Sequence, residues 1–334
     1  MFIIILKEEI MAKILVTGAG GFIGSHLVER LVRDGHKVRA FIRYNSKNNW
    51  GWLERSNIKD DIEVYTGDIR DFDSVNDAIK DVEVIFHLAA LIGIPYSYVS
   101  PLAYIKTNVE GTYNILEASR LNNIKRIIIT STSEIYGTAK FVPITEEHPV
   151  NPQSPYAASK VSADLLALSY YLSFGTPVVI ARPFNTFGPR QSARAFIPSV
   201  IIQILSNKKI IEVGNLETVR DMNYVKDTVE GFVSILKTKG IEGQVLNICS
   251  GKEISMNNIL KEIIKITGSK VKIKESKERI RPDKSEVLRL LGSNKKIKKI
   301  TDWSTKYSIE EGLEETIKWF KDNMDIYKSD IYNI

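Results

Sequence analysis

Thr17 to Gly24, TGAGGFIG, follows the β-branched run KILV (13–16) without a break and leads directly into SHLVERLVRDG (25–35). The first part has the composition of a buried strand, and the last has apolar residues at helical spacing. Between them, Gly18, Gly21 and Gly24 allow a tight turn in which backbone, unshielded by side chains, approaches a ligand closely. A pyrophosphate there would meet the free N–H groups of a helix N-terminus, with Phe22 and Ile23 as the intervening residues. A glycine triplet alone is weak evidence. Its position after a strand, at the opening of a helix, makes it a candidate dinucleotide loop.

The same rhythm continues outward. KVRAFI (37–42), DIEVYTGD (61–68), DVEVIFHLAA (81–90), IKRIIITST (124–132) and PVVIARP (177–183) are nearly continuous apolar runs separated by longer amphipathic segments. Strands buried on both faces and alternating with helices imply a parallel sheet between two helical layers. The expected fold class is α/β, a Rossmann-type doubly wound sheet, with a smaller, mixed C-terminal substrate domain. Residues 11–183 form the dinucleotide domain and 184–330 the substrate domain. With no linker or composition break, the boundary is soft and the units interleave.

Composition narrows the function classes. The 334 residues include a single cysteine, Cys249, so no intrachain disulfide can form, and a reducing, cytoplasmic setting is expected. The opening MFIIILKEEI holds an apolar run of five, far short of the roughly 20 residues that span a bilayer, so no membrane association is expected. The net charge of +6 divides into +8 over Lys270–Lys299 (twelve Lys or Arg against four acids) and −2 elsewhere. Aromatic residues do not interleave with those cations, which argues against nucleic acid and suits a small anionic substrate. No metal-ligand spacing is present, and no metal is expected.

Two further positions bear on the cofactor. Asp68 ends the third strand, where a carboxylate can accept from an adenine amino group; otherwise it would cap the next helix. In VRAFIRYNS (38–46) the second strand ends in Ile42 and Arg43, where an NAD-specific loop carries an acid. A cation there suits a 2′-phosphate, so NADP is expected over NAD, with Arg43 and Ser46 as phosphate contacts.

In SPYAASK (154–160), Tyr156 and Lys160 stand four residues apart at the start of a helix and project from one face. An ammonium within reach of a phenol lowers its pKa, and the phenolate can take a hydroxyl proton as hydride leaves carbon. The carboxyl end of the fifth strand supplies the hydroxyls of Ser131, Thr132 and Ser133, of which Thr132 is the expected partner of the reacting oxygen.

Read together, TGAGGFIGSHL, HLAA, NVEGTYNILEA, STSEIYG, SPYAASK, RPFNTFGPRQ, RDMNYVKD and RPDKSEV resemble the extended short-chain dehydrogenase/reductases that act on nucleotide sugars, in the same order and over nearly all the chain after Met11. The resemblance implies a tightly bound cofactor, recycled in each turnover, that oxidises the sugar at C4. It extends the cofactor set to Ile69, to Leu88, Ala89 and Ala90, and to Tyr156 and Lys160 themselves. It assigns Asn185, Arg220 and Arg281 to the nucleotide diphosphate, although either arginine could instead pair with Asp221 or Asp283. It makes Glu134 the C5 base of a 4,6-dehydratase, beside Thr132 and Ser133, and it leaves Asn108 and Tyr224 as supports. The helical segments after Val99 and after Tyr156 carry more apolar residues than one sheet face can cover, and the resemblance implies a homodimer through that pair as a four-helix bundle.

Thr132-Ser133-Glu134 is similar to the triplet of GDP-mannose 4,6-dehydratase, but it occurs in UDP-glucuronate decarboxylases too. The run RPFNTFGPRQSARAFIPSVI (182–201) most resembles the dehydratases that open legionaminic acid synthesis on a UDP- or GDP-linked N-acetylglucosamine. UDP-glucuronate decarboxylation and 4-epimerisation remain the alternative reactions. Outside catalysis, a dinucleotide-sensing binding protein would also use the glycine loop, but it would not need Tyr156, Lys160 and Thr132 together.

Overall fold

The computed structural model describes residues 11–328; Met1–Ile10, with the short apolar run, and 329–334 lie outside the described residues. In chain order the strands are β1 (Lys13–Thr17), β2 (Lys37–Arg43), β3 (Ile62–Gly67), β4 (Val84–His87), β5 (Arg126–Thr130), β6 (Val178–Pro183), β7 (Asn185–Phe187), β8 (Ile210–Val213), β9 (Val219–Tyr224), β10 (Val245–Ile248), β11 (Glu253–Ser255) and β12 (Lys272–Glu275). The helices are α1 (Phe22–Arg33), α2 (Phe72–Ile79), α3 (Ile94–Val99), α4 (Pro101–Tyr104), α5 (Gly111–Leu121), α6 (Pro155–Phe174), α7 (Phe196–Leu205), α8 (Val225–Lys237), α9 (Met256–Thr267), α10 (Lys295–Ile300) and α11 (Ile309–Asp322).

The main sheet has the order β3-β2-β1-β4-β5-β6-β10, with every neighbouring pair parallel. Alternation along each strand distributes side chains to two cores. Ile14, Val16 and Ile128 pack on one face with Leu27 and Leu31 of α1 and Phe232 of α8. Leu15, Ile127 and Ile129 pack on the other with Leu116 of α5 and Ala167 of α6. Each such aliphatic side chain contributes about 1.5–3 kcal/mol when fully buried, so the strand register is held from both sides. The chain order reverses between β1 and β4, and ligands of doubly wound sheets bind in the crevice at the carboxyl ends of strands at such a point.

The seventh strand, β10, comes from beyond residue 183 and pairs with β6. The second half also builds a three-stranded sheet, β11-β9-β7, and a two-stranded one, β12-β8. Its helix α8 packs back on α1. No helix among the described residues is long and apolar enough to cross a membrane.

Local chemistry sets the helix ends. Ser154 caps α6 by accepting from the Ala157 amide, Pro155 occupies the first helical position, and Gly175, at φ +68°, ends the helix. Ser308 and Glu311 form a reciprocal capping box on α11. At α1, by contrast, no side chain caps Gly21.

Candidate active site

The uncapped end of α1 sits at the β1/β4 reversal. Gly18 adopts φ +68°, and a Cβ there would lie 2.8 Å from the Ala89 nitrogen; a Cβ on Gly24 would lie 2.2 Å from the Gly18 carbonyl oxygen. Loop, helix and the 88–90 segment therefore pack backbone to backbone. Thr17 joins them, its hydroxyl accepting from the amides of Leu88 and Ala89, each at 3.1 Å, and lying 2.8 Å from His87 Nδ1. Burial pushes the His87 imidazole down to about 3, with the Lys160 charge acting in the same direction, so His87 is a neutral hydrogen-bonding strut. Phe22, Ile23, Leu88, Ala89 and Ala90 are half-buried around this crevice. Amides free of side-chain caps, in a cradle that added Cβ atoms would fill, suit a pyrophosphate.

Arg43, the last residue of β2, and Ser46 just beyond it are exposed. Asp68 accepts from Arg70 N at 3.0 Å and Nε at 2.9 Å, and this hydrogen bonding to Arg70 holds its carboxyl below the usual range. The cap of α2 is Asp71, which accepts from the Asp73 and Ser74 amides, so the capping alternative for Asp68 falls away. With Arg70, Asp71, Lys106 and Glu110, Asp68 lines a cavity of about 320 Å³. Ile69 is buried, and its carbonyl accepts from Asn114 at 2.9 Å.

Tyr156 and Lys160 rise from the first turns of α6 against the end of β5. Tyr156 is buried, packs edge-on against Tyr104 with ring centroids 6.2 Å apart, and lies within hydrogen-bonding reach of the Thr132 hydroxyl. Thr132 also accepts from the Glu134 amide at 3.2 Å. The neighbouring Ser131 hydroxyl is committed elsewhere, to Asp164 at 2.8 Å, and Ser133 is buried in the short 3₁₀ turn 133–136. Lys160 donates to the Thr130 carbonyl at 2.6 Å.

The phenol differs from the sequence expectation. Burial raises the Tyr156 pKa above its ordinary value; the Thr132 hydrogen bond opposes this, while Glu134, Tyr104 and Asp164 add to it. Desolvation outweighs any help from the ammonium, which burial itself disfavours.

Glu134, also buried, faces the second half of the chain. Arg281 Nη1 stands 3.9 Å from its carboxylate and 3.7 Å from that of Glu286, and Arg220 reaches Glu286 at 3.4 Å. The two arginines therefore pair with Glu286 and Glu134, not with Asp221 or Asp283. Asp221 is consumed by the amides of Ser250, Gly251 and Gly292. Arg281 Nη1, a donor, and Asn185 Oδ1, an acceptor, are buried atoms without a hydrogen-bond partner, a costly arrangement that an incoming phosphate oxygen would relieve at the arginine and a hydroxyl at the asparagine. Arginine is suited to phosphate because its planar fork bonds oxygens in pairs.

The supports are equally specific. Asn108, in a π-helical segment (Ile105–Glu110), bonds both the amide and the carbonyl of Leu91 and reaches Ser159 on α6. Tyr224 donates to Glu315 at 2.6 Å, outside the site. Sequence reasoning missed three contributors. Tyr104 walls Tyr156; Arg190, at φ +71°, bonds Ser25 and Glu29 of α1; Arg182 bonds Asp164 at 3.1 Å. The run RPFNTFGPRQ thus ties the Tyr156 helix to the loop helix, a role that one residue type at one position does not advertise.

The family model described as GDP-mannose 4,6 dehydratase matches residues 15–316. The chain is 33% identical over 320 residues to a putative UDP-glucose 4-epimerase of Methanocaldococcus jannaschii, covering 93% of this chain and 99% of that protein. A dTDP-glucose 4,6-dehydratase from Streptomyces venezuelae, solved with NAD bound, is 27% identical with a TM-score of 0.87, over 95% of this chain and 99% of that one. A UDP-glucuronic acid 4-epimerase from Bacillus cereus, solved with UDP-glucuronic acid and NAD, is 29% identical with a TM-score of 0.84, over 93% and 99%.

Proposed function

This chain belongs to the GDP-mannose 4,6-dehydratase family, and from that premise we propose that it is a nucleotide-sugar 4,6-dehydratase. The observation that carries the reading is a buried carboxylate, Glu134, directly beside the Thr132–Tyr156 pair and faced by Arg281. A bound nicotinamide would supply the hydride acceptor and donor. Tyr156 takes the C4 hydroxyl proton, Thr132 orients that oxygen, and Lys160 supports the phenolate. Once C4 is a ketone the C5 proton is acidic; Glu134 removes it and, now protonated, gives the proton to the departing C6 hydroxyl, after which the hydride would return to C6 and a solvent proton enter C5, giving the 4-keto-6-deoxy sugar. Asn185, Arg220 and Arg281 hold the diphosphate.

The proposed substrate is a UDP- or GDP-linked N-acetylglucosamine, on the resemblance of the run 182–201 to dehydratases of that sugar. Incubation with such nucleotide sugars in deuterated water tests both points. A 4,6-dehydratase yields a product lighter by one water with deuterium at C5. The second reading, 4-epimerisation or decarboxylation, is favoured by the likeness to epimerases; a product of unchanged mass with C4 inverted, or carbon dioxide from UDP-glucuronate, would establish it instead.

For the cofactor, Arg43 supports NADP, whereas the similar structures named above hold NAD. Arg43→Ala is expected to weaken NADPH binding about tenfold, the loss of one charge-assisted contact, and to leave NADH unchanged in a fluorescence titration. Equal effects on both would remove Arg43 as a 2′-phosphate contact.

A homodimer is proposed through the outer faces of α3–α6. Val99, Leu102, Leu165 and Leu172 on these helices are 71%, 63%, 60% and 80% exposed, apolar side chains that a partner copy would cover. Sedimentation should give twice the chain mass.

A further inference from the structure

Behind the Tyr156–Lys160 pair lies a buried charge network that the proposed reaction does not itself use. Asp164 follows Lys160 by one helical turn, and both side chains are almost wholly buried. One Asp164 oxygen accepts from Ser131 at 2.8 Å and from Arg182 Nε at 3.1 Å; the other, Oδ1, is buried without a hydrogen-bond partner. Arg182 lies over the Tyr136 ring at 5.2 Å and donates to its hydroxyl at 2.9 Å, and that hydroxyl donates to Asn247 at 2.8 Å. A carboxylate is costly to bury, and a merely structural pair would be replaceable by apolar residues at little loss. This one stands within electrostatic reach of the Lys160 amine; burial raises its carboxyl, and Arg182, Lys160 and Ser131 act to lower it.

We propose that Asp164, held by Arg182 and Ser131, is a positioning residue that supplies the counter-charge keeping Lys160 an ammonium beneath Tyr156. The inference rests on the proposed role of the Tyr156–Lys160 pair. The other titratable or charged groups around them are neutral His87 from β4, Tyr104 from α4, Glu134 and Tyr136 from the 3₁₀ turn, and Arg182 from β6. Asp164 is the carboxylate among these that acts to keep the amine protonated, against the burial that lowers its pKa.

The test is Asp164→Asn, which keeps the shape and can still accept from Ser131. Lys160 is observed by NMR in protein carrying isotope-labelled lysine, its signal assigned by its loss in Lys160→Met. Its titration midpoint is expected to fall by about one pH unit or more, the usual effect of removing a nearby opposite charge. With any sugar the enzyme turns over, the pH at which the rise of kcat/KM levels off should move down with it, because the active form needs the ammonium and beyond that pH its loss offsets the phenolate gained. If unpaired Arg182 prevents folding, Asp164→Asn with Arg182→Gln removes both charges and gives a smaller shift of the same sign, because the arginine cation no longer opposes the ammonium; Ser131→Ala, which only loosens the carboxylate, likewise gives a smaller shift of the same sign. An unmoved Lys160 midpoint in any variant that folds, with only thermal stability reduced, overturns the proposal. A levelling-off point that stays in place while the midpoint falls overturns it too. Absence of turnover on every nucleotide sugar would sink the proposed reaction, while the Lys160 titration would still decide the role of Asp164.

Discussion

Tyr156→Phe is expected to lower turnover by about 10²–10⁴-fold, the contribution of a positioned general acid–base group, and to leave the fold and cofactor binding intact. The ring fills a buried position against Tyr104 that phenylalanine fills equally, so only the hydroxyl beside Thr132 is lost. Measured as steady-state kcat alongside thermal melting and cofactor titration, the variant should separate chemistry from stability. A rate within tenfold of wild type would remove Tyr156 from the reaction. Because burial holds the phenol high, wild-type kcat/KM should rise with pH on the acid side as more phenolate forms. It should level off on the alkaline side once Lys160, whose pKa burial lowers, gives up its proton, because the ammonium lost then offsets the phenolate gained.

Glu134→Gln is expected to stop product formation to a similar extent, about 10²–10⁴-fold, for a different reason. Glutamine keeps the backbone amide on the Thr132 hydroxyl and nearly the same volume, while Arg281 retains Glu286 as its neighbour. Oxidation at C4 should therefore survive and appear as cofactor reduced by substrate, with no deuterium entering C5 from solvent. Undiminished formation of the dehydrated product would exclude Glu134 as the C5 base. Inversion at C4 in wild type and variant alike would favour the epimerase reading.

Much of the fold is legible from short-range pattern. The continuous apolar runs 13–17 and 177–183 require two covered faces, and the parallel sheet provides them. The interleaving expected around residue 183 has a definite form in β10, whose run QVLNICSG (244–251) has the same composition as a strand in any small sheet. Nothing within that octapeptide specifies β6 as its neighbour; only the width of the sheet left open after β6 does. Asp164 and Arg182 were invisible for a related reason, since an Asp on a helix and an Arg on a strand are ordinary until burial forces each to find a partner.

The sequence by itself determined the glycine loop between strand and helix and the Tyr156–Lys160 face, because both are set by bond geometry over fewer than ten residues. Tertiary structure alone decided that Arg281 and Arg220 meet Glu286 and Glu134, that Ser131 serves Asp164 and leaves Thr132 to Tyr156, and that the phenol is raised. Those outcomes depend on which distant segments exclude water from a charge. Desolvation and Coulomb attraction belong to the packed chain and have no counterpart in residue order.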